Sequence, residues 1–283
     1  MNRKYPKKPF VYLIQSESDL PYPNLPDARN DIILLTWKKP SNLPNSVFYP
    51  GSSWNEGRNR LLSEAVRISK STGNAYLYYV FLDEDCIVKE DEALAEKLHV
   101  PLTGNPFRTF ERYLLEWEPA VGYTRYSWQY HEPEKETNLG YNIDAIFNAF
   151  HRETLSFLLP YYTGFDKESW LYSQHIINHL TALLYNPHRI QFNVITTKNR
   201  CRQTYPHRKK DWSKPTAFLL NAIKSALKEK MSISDPNTVI PLPGRPLKKA
   251  RSYVISRPFI EKHFDIHHPF IQDRQWLLNE IEK

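Results

Sequence analysis

Three consecutive acidic residues, Asp83-Glu84-Asp85, directly follow an apolar run that ends at Leu82. Clustered carboxylates repel one another unless a cation or another positive group offsets the repulsion. Carboxylate oxygens are hard ligands that suit Mg²⁺ or Mn²⁺, and such an ion can bridge the diphosphate of a nucleotide. The triplet therefore predicts a metal and diphosphate site. A solvated acidic turn at the end of a strand is the alternative interpretation.

The sequence upstream of the acidic triplet predicts the opening of an α/β sheet. Apolar runs at residues 10–15, 31–37 and 75–82 are typical of buried strands, and residues 56–71 have helical periodicity up to Gly73-Asn74. The resulting order of strand, strand, helix and strand begins many α/β folds. Because such sheets bind ligands beyond the carboxyl ends of their strands, the acids lie where a ligand site is expected.

The remaining sequence predicts more helices and strands and then an extension. Residues 234–246 are rich in proline and indicate a linker. We therefore expect one domain over residues 1–230 and, over residues 231–283, the linker and a helical C-terminal extension packed on that domain. Helices are expected at residues 106–117, 152–159, 169–185 and 214–230, and extended segments at residues 120–128, 143–150 and 190–196.

The pattern Asp83-x-Asp85 after an apolar strand resembles the DxD motif of GT-A-fold nucleotide-sugar glycosyltransferases. Upstream, the Gly51-Ser52-Ser53 segment and the Arg58-Asn59 pair before a helix are similar to the same superfamily. The acceptor half is more loosely similar, through Gly164-Phe165-Asp166 and the helix after it. Within this superfamily, the sequence resembles the family-two glycosyltransferases. It implies a mostly parallel central sheet flanked by helices, with a Rossmann-like nucleotide-binding half.

The same resemblance implies a set of donor-binding residues. Mn²⁺ or Mg²⁺ would be held by Asp85, Asp83 and a distant histidine, for which we choose His207 in the basic segment 199–210. An exposed basic loop is the alternative interpretation of that segment. The residues expected to contact the nucleotide-diphosphate sugar are Ser16, Arg58, Asn59, Asp83, Glu84, Arg208 and Lys209.

An inverting transfer needs a general base near the acceptor hydroxyl. Inverting members of the superfamily often carry Glu-Asp on the helix after Gly-Phe-Asp, whereas residues 170–175 of this chain contain no carboxylate. The candidates for the base are, in order, Asp166, Asp144 and Glu168. Each could instead be a helix cap or a surface acid. A retaining mechanism would not need such a base, so the stereochemistry stays open.

The composition of the chain indicates which cellular compartment and which partners are expected for the protein. The net charge of +7 and the pI of about 9.1 are compatible with an anionic substrate or partner. Because the basic residues cluster in tails and in the proposed diphosphate segment, no nucleic-acid partner is expected. The two cysteines, Cys86 and Cys201, indicate neither a disulfide scaffold nor a multi-cysteine zinc site. With no apolar stretch of membrane-spanning length, we expect a cytoplasmic protein without an integral membrane segment.

Together these patterns predict a metal-dependent, hexosyltransferase-type glycosyltransferase of glycan biosynthesis, with inversion as the first expectation. The donor would be a UDP- or GDP-linked sugar, and the acceptor a glycan or another hydroxyl compound. The alternatives are a catalytically inactive nucleotide- or sugar-binding relative, a nucleotidyltransferase and a nucleic-acid-binding protein. Nucleotidyltransferases usually carry a glycine-rich loop after the first strand. Here Gln15-Ser16-Glu17-Ser18 follows that strand, in a chain with 8 glycines.

Overall fold

The computed structural model describes residues 5–25, 29–126, 134–140, 142–200, 211–229 and 244–274. The strands in these ranges are β1 (Phe10–Ser16), β2 (Asn30–Thr36), β3 (Ser46–Phe48), β4 (Tyr78–Asp83), β5 (Cys86–Glu90), β6 (Val121–Tyr126), β7 (Thr137–Asn138), β8 (Phe147–His151) and β9 (Arg189–Asn199). The helices are α1 (Trp54–Thr72), α2 (Glu92–Lys97), α3 (Pro106–Trp117), α4 (Leu155–Leu158), α5 (Leu171–Tyr185), α6 (Ser213–Ala222), α7 (Ser225–Lys228), α8 (Arg257–His263) and α9 (Pro269–Gln272).

The described strands form one sheet in the order β3-β2-β1-β4-β8-β6-β9-β5, and β7 pairs with β9 outside that path. Strands β3, β2, β1 and β4 are parallel, and β8 then runs antiparallel between β4 and β6. The predicted α/β fold, with a central sheet flanked by helices, is confirmed. Since β1 and β4 pair in register with Gln15 opposite Asp83, their carboxyl ends meet at one end of the sheet.

Helices cover both faces of the sheet. Because side chains alternate along each strand, one strand contributes to the hydrophobic clusters on both faces. On β1, Val11 and Leu13 share a hydrophobic cluster with α1 and α5. Tyr12 and Ile14 share the opposite cluster with α3. Burial on both faces explains why β1 and β4 appear in the sequence as continuous apolar runs.

Helix α1 is positioned against the carboxyl end of β1. A capping box of Ser53 and Glu56 begins the helix, and Gly73, at φ 66°, ends it in the left-handed region. Gly57 lies so near β1 that an added Cβ would be 2.1 Å from Gln15 Nε2. This close approach places the first turns of α1 beside the acidic triplet.

The structure departs from the sequence predictions at several elements. Strand β5 begins immediately after the acidic triplet and pairs with the far half of β9, a long-range contact that residues 86–90 alone do not indicate. Strand β3 and helix α2 are also absent from the prediction. The single helix expected at residues 214–230 is interrupted at Ile223, which forms a β-bridge with Phe264 and separates α6 from α7.

The described C-terminal residues, 244–274, pack on the main domain. Ile260, Phe264 and Phe270 are buried in the same cluster as α1 and α5. Arg274 is buried and donates to the carbonyls of Phe157, Leu158 and Phe270. The domain boundary at residue 230 stays a prediction. Among the described helices, none combines the length and apolar composition needed to cross a bilayer.

Candidate functional site

Asp83 lies at the carboxyl end of β4, in the middle of the sheet. Its Oδ1 accepts a hydrogen bond from Arg58 Nη2 at 2.6 Å, and the indole Nε1 of Trp54 lies 3.3 Å from both carboxylate oxygens. Trp54 and Arg58 are four residues apart on α1, so both project from the same face of the helix. The first turns of α1 therefore supply two groups that orient the Asp83 carboxylate.

Arg58 is a buried cation. Its side chain is 1% exposed, and its guanidinium carbon lies 3.9 Å from the centroid of the Trp54 ring. Nη2 also donates to the carbonyl of Ala145 at 2.7 Å. A buried charge is costly unless it is paired and hydrogen-bonded, and the ion pair with Asp83 offsets that cost. The sequence predicts a nucleotide contact for Arg58, whereas the structure places it beneath Trp54, where it holds Asp83.

Two further carboxylates lie close to Asp83. Burial, together with the charge of Asp83, raises the pKa of Asp85 to about 6. Burial also raises the pKa of Asp144 to about 6, with a further contribution from Asp83 and against a hydrogen bond from the Ile146 N–H. Neighbouring carboxylates with raised pKa values are typical of sites that bind a cation or transfer a proton.

The loop before β8 brings Asp144 to this end of the sheet. The N–H of Ile146 donates to Asp144 Oδ1 at 3.0 Å, and the Ile146 carbonyl accepts from the Asp83 N–H at 3.0 Å. The antiparallel pairing of β8 with β4 therefore fixes the backbone that carries Asp144 against the backbone that carries Asp83.

Glu84 turns back towards the carboxyl end of β1. Its Oε2 accepts from the Ser16 hydroxyl at 2.8 Å and from the Glu17 N–H at 2.6 Å. Burial raises the pKa of Glu84, and these two hydrogen bonds oppose the rise. Ser16 and Glu84, both predicted to contact the nucleotide, therefore contact each other and connect the ends of two strands.

Hydrogen bonds to backbone groups hold the turn between β4 and β5 from two sides. The Tyr22 hydroxyl donates to the carbonyl of Asp83 and accepts from the Cys86 N–H at 3.2 Å. On the other side, the Arg200 N–H donates to the carbonyl of Asp85 at 2.5 Å. Since main-chain groups make these contacts, they fix the turn without using the side chain of Asp85.

The side-chain amide of Asn59 is hydrogen-bonded to the backbone of another segment. Its Nδ2 donates to the carbonyl of Tyr161 at 2.8 Å, and its Oδ1 accepts from the Tyr161 N–H at 2.7 Å. Both ends of the amide thus bind one residue of the segment that follows α4. The predicted nucleotide contact of Asn59 would have to compete with this pair of hydrogen bonds.

Asp166 and Glu168 have partners other than the three clustered aspartates. Asp166 accepts hydrogen bonds from Ser53 and Asn55 at the start of α1, and burial raises its pKa against those bonds. Glu168 is exposed and forms an ion pair with Lys214 at 2.6 Å. Asp144 is the candidate base whose pKa is raised, beyond the effect of burial, by the charges of Asp83 and Asp85.

Of the three metal ligands predicted from the sequence, the structure describes Asp83 and Asp85. Among the residues that the structure describes, no three His, Cys, Asp or Glu side chains are placed to hold a metal ion together. Mg²⁺ is often held by one or two carboxylates plus substrate phosphates, a donor set that Asp83 and Asp85 can join. His207, Arg208 and Lys209 lie outside the described residues, in a segment that begins after Arg200.

Trp54 and Tyr22 belong to the site, although neither is among the site residues predicted from the sequence. The Trp54 ring packs against Trp170 with 4.3 Å between centroids, in addition to its contacts with Asp83 and Arg58. The i, i+4 spacing of Trp54 and Arg58 is the signal that could have identified the tryptophan. Tyr22 lies in a proline-containing loop, and no periodicity marks it.

No family model and no curated protein matches this sequence. Among solved structures, A197 from STIV is similar over 67% of this chain and 84% of its own, with 13% identity and a TM-score of 0.40. The structure of S. aureus TarS 1-349 is similar over 65% of this chain and 60% of its own, with 9% identity and a TM-score of 0.35. Both likenesses are too low to assign a function.

Proposed function

We propose that the chain is a glycosyltransferase that uses a divalent cation and a nucleotide-diphosphate sugar, and that Asp83, Asp85 and Asp144 form the centre of its active site. The observation that carries the proposal is the gathering of these three carboxylates at the carboxyl end of the central strand. Burial and mutual repulsion raise the pKa of Asp85 and of Asp144, so a bound cation would be stabilising. The likeness of Asp83-x-Asp85 to the DxD motif supports the same assignment.

The cation would be Mn²⁺ or Mg²⁺, bound mainly through Asp85. Asp83 already receives hydrogen bonds from Arg58 and Trp54, so it would contribute as a second, pre-oriented carboxylate. The chemistry that such an ion supplies is neutralisation of the diphosphate leaving group. Arg200, whose N–H contacts the Asp85 carbonyl, precedes in sequence the residues 201–210. These carry His207, Arg208 and Lys209, our proposed third ligand and phosphate contacts.

Asp144 is our first choice for the general base. Without a cation, burial raises the pKa of Asp144 to about 6, so its carboxylate is mostly ionised at neutral pH and can accept a proton. In an inverting transfer, the acceptor oxygen bonds to the anomeric carbon and the bond from that carbon to the diphosphate oxygen breaks. The acceptor proton passes to the Asp144 carboxylate. Asp166 follows Asp144 in our order because its carboxylate already holds the start of α1.

The test is donor turnover by the intact chain with Mn²⁺ and a panel of UDP- and GDP-sugars, with and without glycan acceptors. We expect release of the nucleoside diphosphate from at least one donor. Asp144→Asn should lower turnover by about 10²- to 10⁴-fold while nucleotide binding persists, since the base acts only in the chemical step. Asp265→Asn makes the same chemical change at an exposed position and serves as the matched control.

The outcomes separate the candidate functions. Nucleotide binding without turnover of any donor would favour the inactive relative, and release of pyrophosphate from nucleoside triphosphates would favour a nucleotidyltransferase. No binding of any nucleotide in the presence of Mn²⁺ would refute the proposal.

A further inference from the structure

A C-terminal segment crosses the end of the sheet that lies opposite Asp83. We call residues 244–257 the strap. The Leu247 N–H donates to the Pro187 carbonyl at 3.1 Å, just before β9, and the Lys249 N–H donates to the Trp117 carbonyl at 3.1 Å, at the end of α3. Because β4 and β9 begin at this end of the sheet, the strap lies at the end farthest from the clustered aspartates.

This end of the molecule, which we call the basic end, presents exposed cations from several elements. The strap contributes four of them, of which Arg257 pairs with Glu261, and residues beside the ends of β1, β2 and β8 contribute the others. Glu116, in the last turn of α3, is an exposed acid near them. These exposed basic residues are Lys7, Arg29, Arg152, Arg245, Lys248, Arg251 and Arg257.

Several acids at the basic end are already paired. Lys249 Nζ lies 3.0 Å from Glu118 Oε1 and 3.5 Å from Glu153 Oε1. Asp31 pairs with Lys8 at 2.6 Å. These pairs use buried or half-buried cations, so the exposed arginines and lysines are left to set the potential of the outer surface.

The strap also exposes two aliphatic side chains. Leu247 is 52% exposed and Val254 is 58% exposed, the two highest exposures among the large hydrophobic side chains of the described residues. By contrast, Tyr253 is 3% exposed, because its ring packs under the strap against His151 and Tyr185. The exposed side chains of the strap therefore combine arginine and lysine with aliphatic, not aromatic, groups.

We propose that the basic end binds the surface of an anionic phospholipid membrane. Lys248, Arg251 and the surrounding arginines would contact the headgroups, and Leu247 and Val254 would enter the boundary with the acyl chains. The proposal is independent of the proposed enzymatic function. It orients the molecule with the three aspartates facing away from the membrane.

The exposed groups favour a membrane over nucleic acid. Single-stranded nucleic acid is bound by cations interleaved with aromatic rings on which bases stack. In the strap the aromatic ring is buried and the exposed apolar groups are aliphatic. Basic clusters with adjacent aliphatic residues match the chemistry of a headgroup layer over a hydrocarbon core.

The experiment is co-sedimentation of the intact chain with phosphatidylcholine vesicles, with and without about one-third phosphatidylserine. We expect binding to the anionic vesicles only, and its loss when NaCl is raised from about 0.1 M to about 0.5 M. The charge-reversal pair Lys248→Glu/Arg251→Glu should weaken binding by about 20-fold or more, at roughly fivefold for each basic residue removed. The control Lys89→Glu/Arg108→Glu makes the same charge change on β5 and α3, away from the strap.

A second variant separates lipid insertion from a general effect of charge. Leu247→Ser/Val254→Ser keeps every cation and changes only exposed side chains, so it should fold normally and still bind several-fold more weakly. Equal binding to both vesicle types, or equal weakening by the control pair, would overturn the proposal. So would wild-type binding by both strap variants, or binding to a single-stranded oligonucleotide with none to anionic vesicles.

Discussion

At the residue scale, the arrangement around Asp83 depends on a buried arginine. Arg58 contacts one carboxylate oxygen of Asp83, the Ala145 carbonyl and the face of Trp54. It thereby connects α1, the carboxyl end of β4 and the loop that carries Asp144. Because Arg58 would act on a ligand through Asp83, replacing Arg58 should first change the stability of the fold and the geometry of the site.

Arg58→Met keeps the approximate length of the side chain and removes the charge. We expect it to lower the free energy of unfolding by about 2–4 kcal/mol, because Asp83 loses its charged partner at a half-buried position. Urea denaturation measures the change. In a cycle with Asp83→Asn, the double variant should lose at least about 0.5 kcal/mol less than the sum of the single variants.

A matched control for Arg58→Met is Arg67→Met, which removes an exposed arginine paired with Glu64 on the same helix. Its stability should equal that of the wild type within error. Additive losses in the Arg58 and Asp83 cycle would show that the two residues do not form the stabilising pair seen in the structure.

The residues of the site could be predicted from the sequence only in part. Asp83 and Asp85 stand out because three acids follow a fully apolar run, and that signal is local. The position of Asp144 depends on the pairing of β8 with β4, between residues far apart in the chain. The same limit applies to Glu84, whose type and place suggest a ligand contact but whose carboxylate binds Ser16 and Glu17 across the sheet.

At the element scale, the long apolar strands and α1 and α3 were predictable because each carries its own periodicity or buried run. Strand β5 was not, because its residues are half-buried and its pairing partner is the distant end of β9. The break between α6 and α7 is likewise set by a bridge from Ile223 to Phe264, which the local helical pattern of residues 214–230 does not contain.

Helix α5 provides a pH-dependent contact with α6. His175 Nε2 lies 3.0 Å from His179 Nε2 and 3.0 Å from the Thr216 hydroxyl. Burial lowers the pKa of His175 to about 4 and that of His179 to about 3. Both rings are therefore neutral in the folded protein at pH 5, whereas an unfolded chain would bind protons below about pH 6.5.

Because the unfolded state binds more protons, stability should fall as the pH is lowered from about 6.5 towards 4. Each histidine contributes a slope of at most about 1.4 kcal/mol per pH unit. His179→Gln should flatten this dependence relative to the wild type, which thermal unfolding between pH 7 and pH 5 would measure. The control His267→Gln changes an exposed histidine and should leave the slope unchanged. An unaltered slope in the His179 variant would contradict the assignment.

At the scale of the whole molecule, the C-terminal residues complete the hydrophobic core. Tyr253 is buried, and its hydroxyl donates to the Glu118 carbonyl at 2.7 Å. Beside it, Lys249 pairs with Glu118 and Glu153. The strap is thus held by one aromatic side chain and a small group of charges, at the end of the sheet opposite the proposed active site.

Tyr253→Ala should release the strap, since truncation of a buried aromatic side chain costs about 3–5 kcal/mol. We expect limited proteolysis to cleave within residues 244–257 before it cleaves the sheet domain, as mass spectrometry of the fragments would show. Tyr253→Phe removes only the hydroxyl and should resist cleavage much better. Cleavage at the wild-type rate in Tyr253→Ala would contradict the role of this side chain in holding the strap.

The central claim is that the acids at the end of β4 bind a cation together with a nucleotide diphosphate. The most direct measurement is titration of Mn²⁺ into the intact chain in the presence of UDP or GDP, by calorimetry, for the wild type and for Asp85→Asn. Asparagine removes the repulsion between Asp85 and Asp83, so the variant should be at least as stable as the wild type. We predict nucleotide-dependent binding of Mn²⁺ to the wild type and a loss of affinity of about 100-fold or more in the variant. Equal affinity of the folded variant and the wild type would contradict the claim.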